Sequence, residues 1–187
     1  MVNSYGRKKR KPIYDEELGI APTEEQIEKM QKQAKNVAYY WINQSDKTRK
    51  ELYDKIKAKG ITDDVANELL DKMVDLGYID DERYAENFVT SKMTYEKLGH
   101  QAILYKLKNK GIEQHIIDNA LLAIGDEDTE ENARILAEKR LYPTRNLEKN
   151  KRIQNIAAFL ARRGYSGSIA FKISREAVDQ ALSSQEE

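Results

Sequence analysis

The sequence has no cysteine, three prolines, two histidines and no long run of apolar residues. Without cysteine the chain can form no disulfide framework and perform no thiolate chemistry, which fits a reducing compartment. No apolar stretch is long enough to cross a bilayer. The basic N-terminus is not followed by the apolar segment of a secretory signal. We therefore expect a soluble, cytoplasmic protein with no membrane partner.

Motifs for catalysis and cofactor binding are also missing. His100 and His115 stand apart in the chain without the spacing of zinc ligands. No glycine-rich phosphate loop is present, and no Ser–His nucleophile pair can be recognised. The acidic run at residues 80–82 would permit a metal-dependent nuclease, but helix capping accounts for it. We expect no enzyme activity, no metal and no cofactor.

An internal repeat organises the chain. Residues 55–61 read KIKAKGI and residues 106–112 read KLKNKGI. The two phrases lie about fifty residues apart. The same offset pairs Leu52 with Ile103 and Ile56 with Leu107. A third and weaker copy, FLARRGY, occupies residues 159–165. The pattern predicts three copies of one structural unit.

Each copy has the pattern of three helices, because its apolar residues follow a helical period and strand-like alternation is rare. Thr23 with Gln26, and Thr48 with Glu51, have the spacing of capping boxes. Thr62 or Asp63 is expected to cap the third helix of the first copy. We predict an all-α protein, an elongated tandem array of three three-helix units. The expected division is a basic extension over 1–22 and units over 23–79, 80–125 and 126–187, with a frayed tail over 183–187.

Charge is balanced overall but not locally. Lys plus Arg and Asp plus Glu both number 32, yet residues 139–163 hold eight basic residues against one acid, Glu148. A second basic run spans Arg7–Lys11. Both segments suit a polyanion or an acidic partner, and the alternative for each is a solvated, solubilising surface. The aromatic run 39–41 permits base stacking, with Trp41 expected in the core and Tyr39 or Tyr40 left open.

Three stretches carry a family resemblance. They are GYIDDERYAENFV at 77–89, KGI at 110–112 and TRKEL at 48–52. They resemble the RecX family, bacterial regulatory proteins that act on RecA, and the resemblance extends over residues 34–182. The family commonly has a basic pair where this chain has Gln101 and Ala102.

The resemblance implies a binding protein, not an enzyme. Such proteins bind along the groove of the RecA filament on single-stranded DNA and restrain strand exchange, ATP hydrolysis and coprotease activity. The expected partners are the RecA filament and single-stranded DNA, contacted directly or through the filament by a monomer. Two alternatives are a stand-alone DNA-binding protein with helix-turn-helix-like units and a structural scaffold.

The candidate binding residues are cationic. The main group is Arg140, Arg145, Lys149, Lys151, Arg152, Arg162 and Arg163, and an extension of the surface is formed by Arg49, Lys59, Arg83, Lys92, Lys106 and Lys110. Lys59, Lys110 and Arg163 occupy one equivalent position in the three copies, whereas Lys57 and Lys108 are expected to be solvated.

Overall fold

The computed structural model describes residues 21–184, and within this range the chain forms nine α-helices and no strand. The predicted all-α class is confirmed. The basic run at 7–11 and residues 185–187 lie outside the described residues, and Ser183 ends the last helix instead of belonging to a frayed tail. The helices are α1 (Glu24–Ile42), α2 (Arg49–Lys57), α3 (Asp63–Asp75), α4 (Asp81–Thr94), α5 (His100–Asn109), α6 (Gln114–Leu122), α7 (Asp126–Leu141), α8 (Lys149–Arg162) and α9 (Gly167–Ser183).

The helices pack in three consecutive triplets, and each triplet buries its own core. Helices α1–α3 pack on one another, as do α4–α6 and α7–α9. Met30, Leu70 and their neighbours fill the first core. The second core surrounds Ile117, and the third surrounds Ile173. The predicted organisation in three-helix units is confirmed.

The repeat seen in the sequence corresponds to equivalent core positions. Residues at matched places in the middle helices α2, α5 and α8 are 0% exposed in all three triplets. Burial of such side chains is the main favourable term in folding. The first of these columns is Leu52, Ile103 and Ile156, and the second is Ile56, Leu107 and Leu160.

The glycine that closes each repeated phrase adopts a left-handed conformation. The φ angles of Gly60, Gly111 and Gly164 are 74°, 76° and 91°, which a residue with a Cβ adopts at a cost. At Gly111 the amide donates to the carbonyl of Lys108, and the next amide, of Ile112, donates to that of Leu107. These two bonds satisfy the free carbonyls of α5 and return the chain to the core.

The predicted capping boxes at Thr23 and Thr48 are both present. Each threonine hydroxyl accepts from the third helical amide, and the Gln26 or Glu51 side chain accepts from the threonine amide. Thr62 occupies the N-cap of α3 but makes no side-chain capping bond. Two of these helices therefore begin with reciprocal bonds, and the third begins without them.

The chain divides into two compact units, the first ending at Asp80 and the second beginning at Asp81. Trp41 belongs to the first unit, where it packs against the core as predicted, with the Lys55 ammonium 4.4 Å from its ring centroid. Tyr39 and Tyr40 are 43% and 60% exposed. Stacking of bases on either tyrosine stays a prediction.

Thr48→Ala is expected to lower the free energy of unfolding of the first unit by about 1 kcal/mol, because it removes the hydroxyl that caps α2. Thr62→Ala is the matched control and should cost less, since its hydroxyl makes no capping bond. Urea unfolding followed by the fluorescence of Trp41, the single tryptophan, measures both. Equal losses for the two variants would contradict the capping account.

Candidate functional site

The end of α8 meets the start of α5 through backbone hydrogen bonds. The amide of Gly99 donates to the carbonyl of Arg163 at 2.9 Å, and the amide of Gln101 donates to the carbonyl of Gly164 at 3.1 Å. The first amides and last carbonyls of a helix have no partners within that helix. Here each helix end satisfies the other. We call this contact between the second and third triplets the joint.

Two glycines allow the close approach at the joint. A Cβ added to Gly99 would lie 2.4 Å from the carbonyl oxygen of Gly164, and one added to Gly164 would lie 2.3 Å from the amide nitrogen of Ala102. Both distances are too short for any side chain. Ala102, one of the positions where the family commonly has a basic residue, therefore packs directly against Gly164.

Side chains reinforce the same contact. The phenol of Tyr165 donates to the carbonyl of Lys97 at 2.9 Å, and the ammonium of Lys97 donates to Asn132 of α7 at 2.8 Å. Lys97 has a φ of 50°, in the left-handed region that non-glycine residues occupy at a cost. The surrounding hydrogen bonds hold this turn in place.

Cations from α4, α5 and the C-cap of α8 meet around Glu96 at the joint. The guanidinium of Arg163 donates to the backbone carbonyl of Glu96 at 3.1 Å, and Lys92 forms an ion pair with its carboxylate. The Lys92 ammonium holds the pKa of the Glu96 carboxyl below its usual value, and the charges of Lys106 and Arg163 lower that pKa further. The three cations thus lie close enough to act on one carboxylate.

Phe159 extends this group towards α7. The guanidinium carbons of Arg140 and Arg163 lie 5.2 Å and 5.8 Å from the centroid of its ring. These distances are typical of cation–π contacts. Neither arginine forms an ion pair with a carboxylate in the described part of the chain. We name the four cations Lys92, Lys106, Arg140 and Arg163 the joint cluster.

Arg152 does not lie on this surface. It is 5% exposed, and its guanidinium donates to the carbonyl of Leu141 at 3.1 Å. Its position explains the burial, because Arg152, Ile156 and Leu160 are four residues apart on α8 and so share the core face. The expectation that it faces phosphates or an acidic partner surface is corrected: Arg152 braces the turn between α7 and α8.

Other predicted residues are engaged locally. Arg49 pairs with Asp71 at 2.6 Å in the first unit, and Lys149 pairs with Asp179 at 2.7 Å in the second. The guanidinium of Arg145 lies over the ring of Tyr142. These contacts lie outside the joint cluster.

The remaining predicted residues are spread over several helix surfaces. Arg83 is exposed in the first turn of α4, and Lys110 is half-buried at the end of α5. Lys151 and Arg162 are exposed on α8, and Lys59 is exposed just after α2. The equivalent positions Lys59, Lys110 and Arg163 therefore have three different environments.

Glu96, Phe159 and Gly99 organise the cluster, and none of them belongs to the predicted set of cations. Phe159 precedes Arg163 by one helical turn, so that contact could have been read from spacing. The contacts from Arg140 to Phe159 and from Arg163 to Glu96 join residues distant in sequence. No local pattern predicts them.

Metal and membrane features are not found in the described residues. Residues 21–184 contain no group of three or more His, Asp or Glu side chains placed to hold a metal ion. Over the same range, no helix combines the length and the apolar character needed to cross a membrane.

Family models match all three triplets. The first, second and third three-helix domains of RecX match residues 34–73, 80–121 and 126–173. The chain belongs to the RecX family. A regulatory protein RecX from Streptomyces lividans is 32% identical over 148 residues, which cover 79% of each chain. One from Clostridium botulinum is 29% identical over 184 residues, covering 97% of this chain and 84% of the relative.

Solved RecX structures have the same fold. The crystal structure of RecX from Lactobacillus salivarius superposes with a TM-score of 0.74 at 29% identity and covers 80% of this chain and 97% of that one. A second RecX crystal structure gives a TM-score of 0.72 at 25% identity. The resemblance seen in the sequence is confirmed, and with it membership of a family of regulatory proteins.

Gly99→Ala is expected to open the RecX joint. The substitution tests the close contact without backbone strain, because the φ of −78° at Gly99 is ordinary for alanine. The new Cβ would lie 2.4 Å from the carbonyl oxygen of Gly164. Loss of two backbone bonds should destabilise the joint by about 2 kcal/mol. Amide hydrogen exchange at residues 99 and 101 measures the opening.

Gly167→Ala provides the control for this substitution. Gly167 begins α9, and a Cβ placed there has nothing within 4 Å. Exchange at residues 99 and 101 should therefore stay unchanged in Gly167→Ala. Equal protection of these amides in Gly99→Ala and the unsubstituted protein would contradict the close-contact geometry.

Burial raises the pKa of Tyr165 from 10.0 to about 12. Because the folded state favours the neutral phenol, its contribution to stability is complete below pH 10 and is lost as pH rises towards 12. Tyr165→Phe should remove this component. The urea midpoint of the second unit as a function of pH measures the effect, and an identical alkaline decline in both proteins would contradict it.

Proposed function

We propose that this RecX protein is a non-enzymatic regulator that binds in the groove of the RecA filament on single-stranded DNA. Bound there, it restrains strand exchange, ATP hydrolysis and coprotease activity. Membership of a family of regulatory proteins supports this function. The protein acts as a monomer through contacts to RecA, to the DNA strand or to both.

The joint cluster is the observation that carries the proposal. Its four cations lie on α4, α5, α7 and the C-cap of α8, and Glu96 is the carboxylate among them. Like charges held close together repel one another, and a polyanion or an acidic surface relieves that repulsion. Phosphates of DNA and carboxylates of RecA both meet this requirement.

Binding to the filament need not depend on one strong contact. Arg49 and Lys59 of the first unit and the joint cluster of the second offer separate cationic contacts. When one chain makes several weak contacts to an extended partner, the later contacts form at a high effective concentration. Each phosphate that is neutralised also releases counterions, so any DNA contribution weakens steeply with salt.

Lys106→Glu is expected to raise the protein concentration needed for half-inhibition of RecA ATP hydrolysis on single-stranded DNA by about tenfold, because it reverses a charge in the joint cluster. Lys108→Glu is the matched control. It makes the same charge change on the exposed surface of the same helix, rotated by about 200° from Lys106. Lys108→Glu should inhibit nearly as well as the unsubstituted protein.

The same assay tests the function itself. No inhibition of ATP hydrolysis by the unsubstituted protein in stoichiometric excess would overturn the proposal. Equal weakening by Lys106→Glu and Lys108→Glu would remove the joint cluster from the interface. Tight, sequence-dependent binding to duplex DNA without RecA would instead indicate a stand-alone DNA-binding protein.

A further inference from the structure

An exposed tyrosine and an arginine stack at the turn that joins α7 to α8. The guanidinium carbon of Arg145 lies 3.9 Å from the centroid of the Tyr142 ring. Tyr142 is nevertheless 72% exposed. Since Arg145 covers one face of the ring, this exposure leaves the opposite face open to solvent.

The arginine is held in place before any partner arrives. Its guanidinium donates to the backbone carbonyl of Tyr142 at 3.1 Å, which fixes the planar group over the ring. Arg145 forms no ion pair with the described residues. The nearby acid, Glu148, uses its carboxylate to accept from the amide of Asn150 at the start of α8. The guanidinium of Arg145 thus contacts the ring and the carbonyl of Tyr142, and it forms no ion pair within the described residues.

Two cations precede the stacked pair at the end of α7. Arg140 of the joint cluster precedes Tyr142 by two residues, and the exposed Lys139 precedes it by three. Residues three apart on a helix share a face, so a strand that places a base on the ring would have Lys139 on the same side of α7. Stacking on an aromatic ring suits any base, because every base has a π-face.

Other exposed tyrosines lack this arrangement. Tyr95 and Tyr105 are 83% and 66% exposed. No cation lies over either ring within the described structure, whereas the Tyr142 ring already carries a guanidinium. Tyrosine and arginine also serve as anchors in protein interfaces, but the cationic turn favours nucleic acid over an apolar protein surface.

We propose that the Tyr142–Arg145 pair is a stacking site for an unpaired base of single-stranded nucleic acid. The site extends the proposed function from contacts with phosphates to contacts with bases. The role of this site in the RecA filament rests on the proposed function. Binding of a strand to the site can be measured without RecA. The base stacks on the open face of Tyr142 while a neighbouring phosphate faces Lys139.

The test compares two oligonucleotides of equal length, an oligothymidylate and a strand of abasic sites that keeps the phosphates. Fluorescence anisotropy measures the binding of each strand without RecA. The unsubstituted protein should prefer oligothymidylate. Tyr142→Ala should weaken binding to oligothymidylate about fivefold or more and leave binding to the abasic strand unchanged.

Two variants control this measurement. Tyr142→Phe should keep the preference for bases, since stacking uses the ring and not the hydroxyl. Tyr105→Ala removes an exposed tyrosine without a stacked cation and should change binding to neither strand. Circular dichroism checks that all variants retain the fold of the unsubstituted protein.

Four outcomes would overturn the stacking site. They are no binding to either strand, no preference for bases in the unsubstituted protein, equal weakening on both strands by Tyr142→Ala, and no weakening on either. If Tyr142→Ala reduces inhibition of RecA without changing strand binding, Tyr142 contacts protein instead. Inhibition of RecA ATP hydrolysis by the unsubstituted protein is measured separately, so failure of the stacking site is distinguishable from failure of the filament-binding function.

Discussion

The joint holds the second and third triplets together through two backbone hydrogen bonds. The carbonyls of Arg163 and Gly164, just after α8, accept from the amides of Gly99 and Gln101 at the start of α5. The second and third triplets have separate core clusters, and the joint connects them. Backbone bonds are directional, and the bond from Gln101 satisfies an amide that α5 leaves without a partner in its first turn. Gly99 and Gly164 are required because any side chain would force the two backbones apart.

The charge distribution follows from this contact. When Arg163 reaches the carbonyl of Glu96, cations of two triplets come together around one acid. Phe159 then brings Arg140 to the same place without adding negative charge. The repulsion within the cluster is tolerated because directional backbone bonds and packed cores hold the helices, and a bound anionic partner would reduce it. The fold and the proposed binding surface therefore depend on the same few atoms.

The sequence predicts the cores and helix ends well because these features depend on local spacing. The columns beginning with Leu52 and Ile56, the capping box at Thr48 and the glycine at the end of each repeated phrase all have this origin. The composition of the joint cluster could not be predicted, since it requires α5 and α8 to meet. Arg152 lies between these cases. Its burial follows from helical spacing, whereas its charge alone would predict exposure.

The position shared by Lys59, Lys110 and Arg163 shows why equivalence in a repeat does not imply equivalence in function. Its neighbours in the core are matched across the three triplets, yet Lys59 is exposed whereas Lys110 and Arg163 are half-buried. Gly164 packs against Ala102 of another triplet, which draws Arg163 into the joint. The side chain of Lys59 remains exposed. Within the second unit, Arg163 thus joins a cluster of cations through the contact between two triplets, and the binding surface proposed above includes it for that reason.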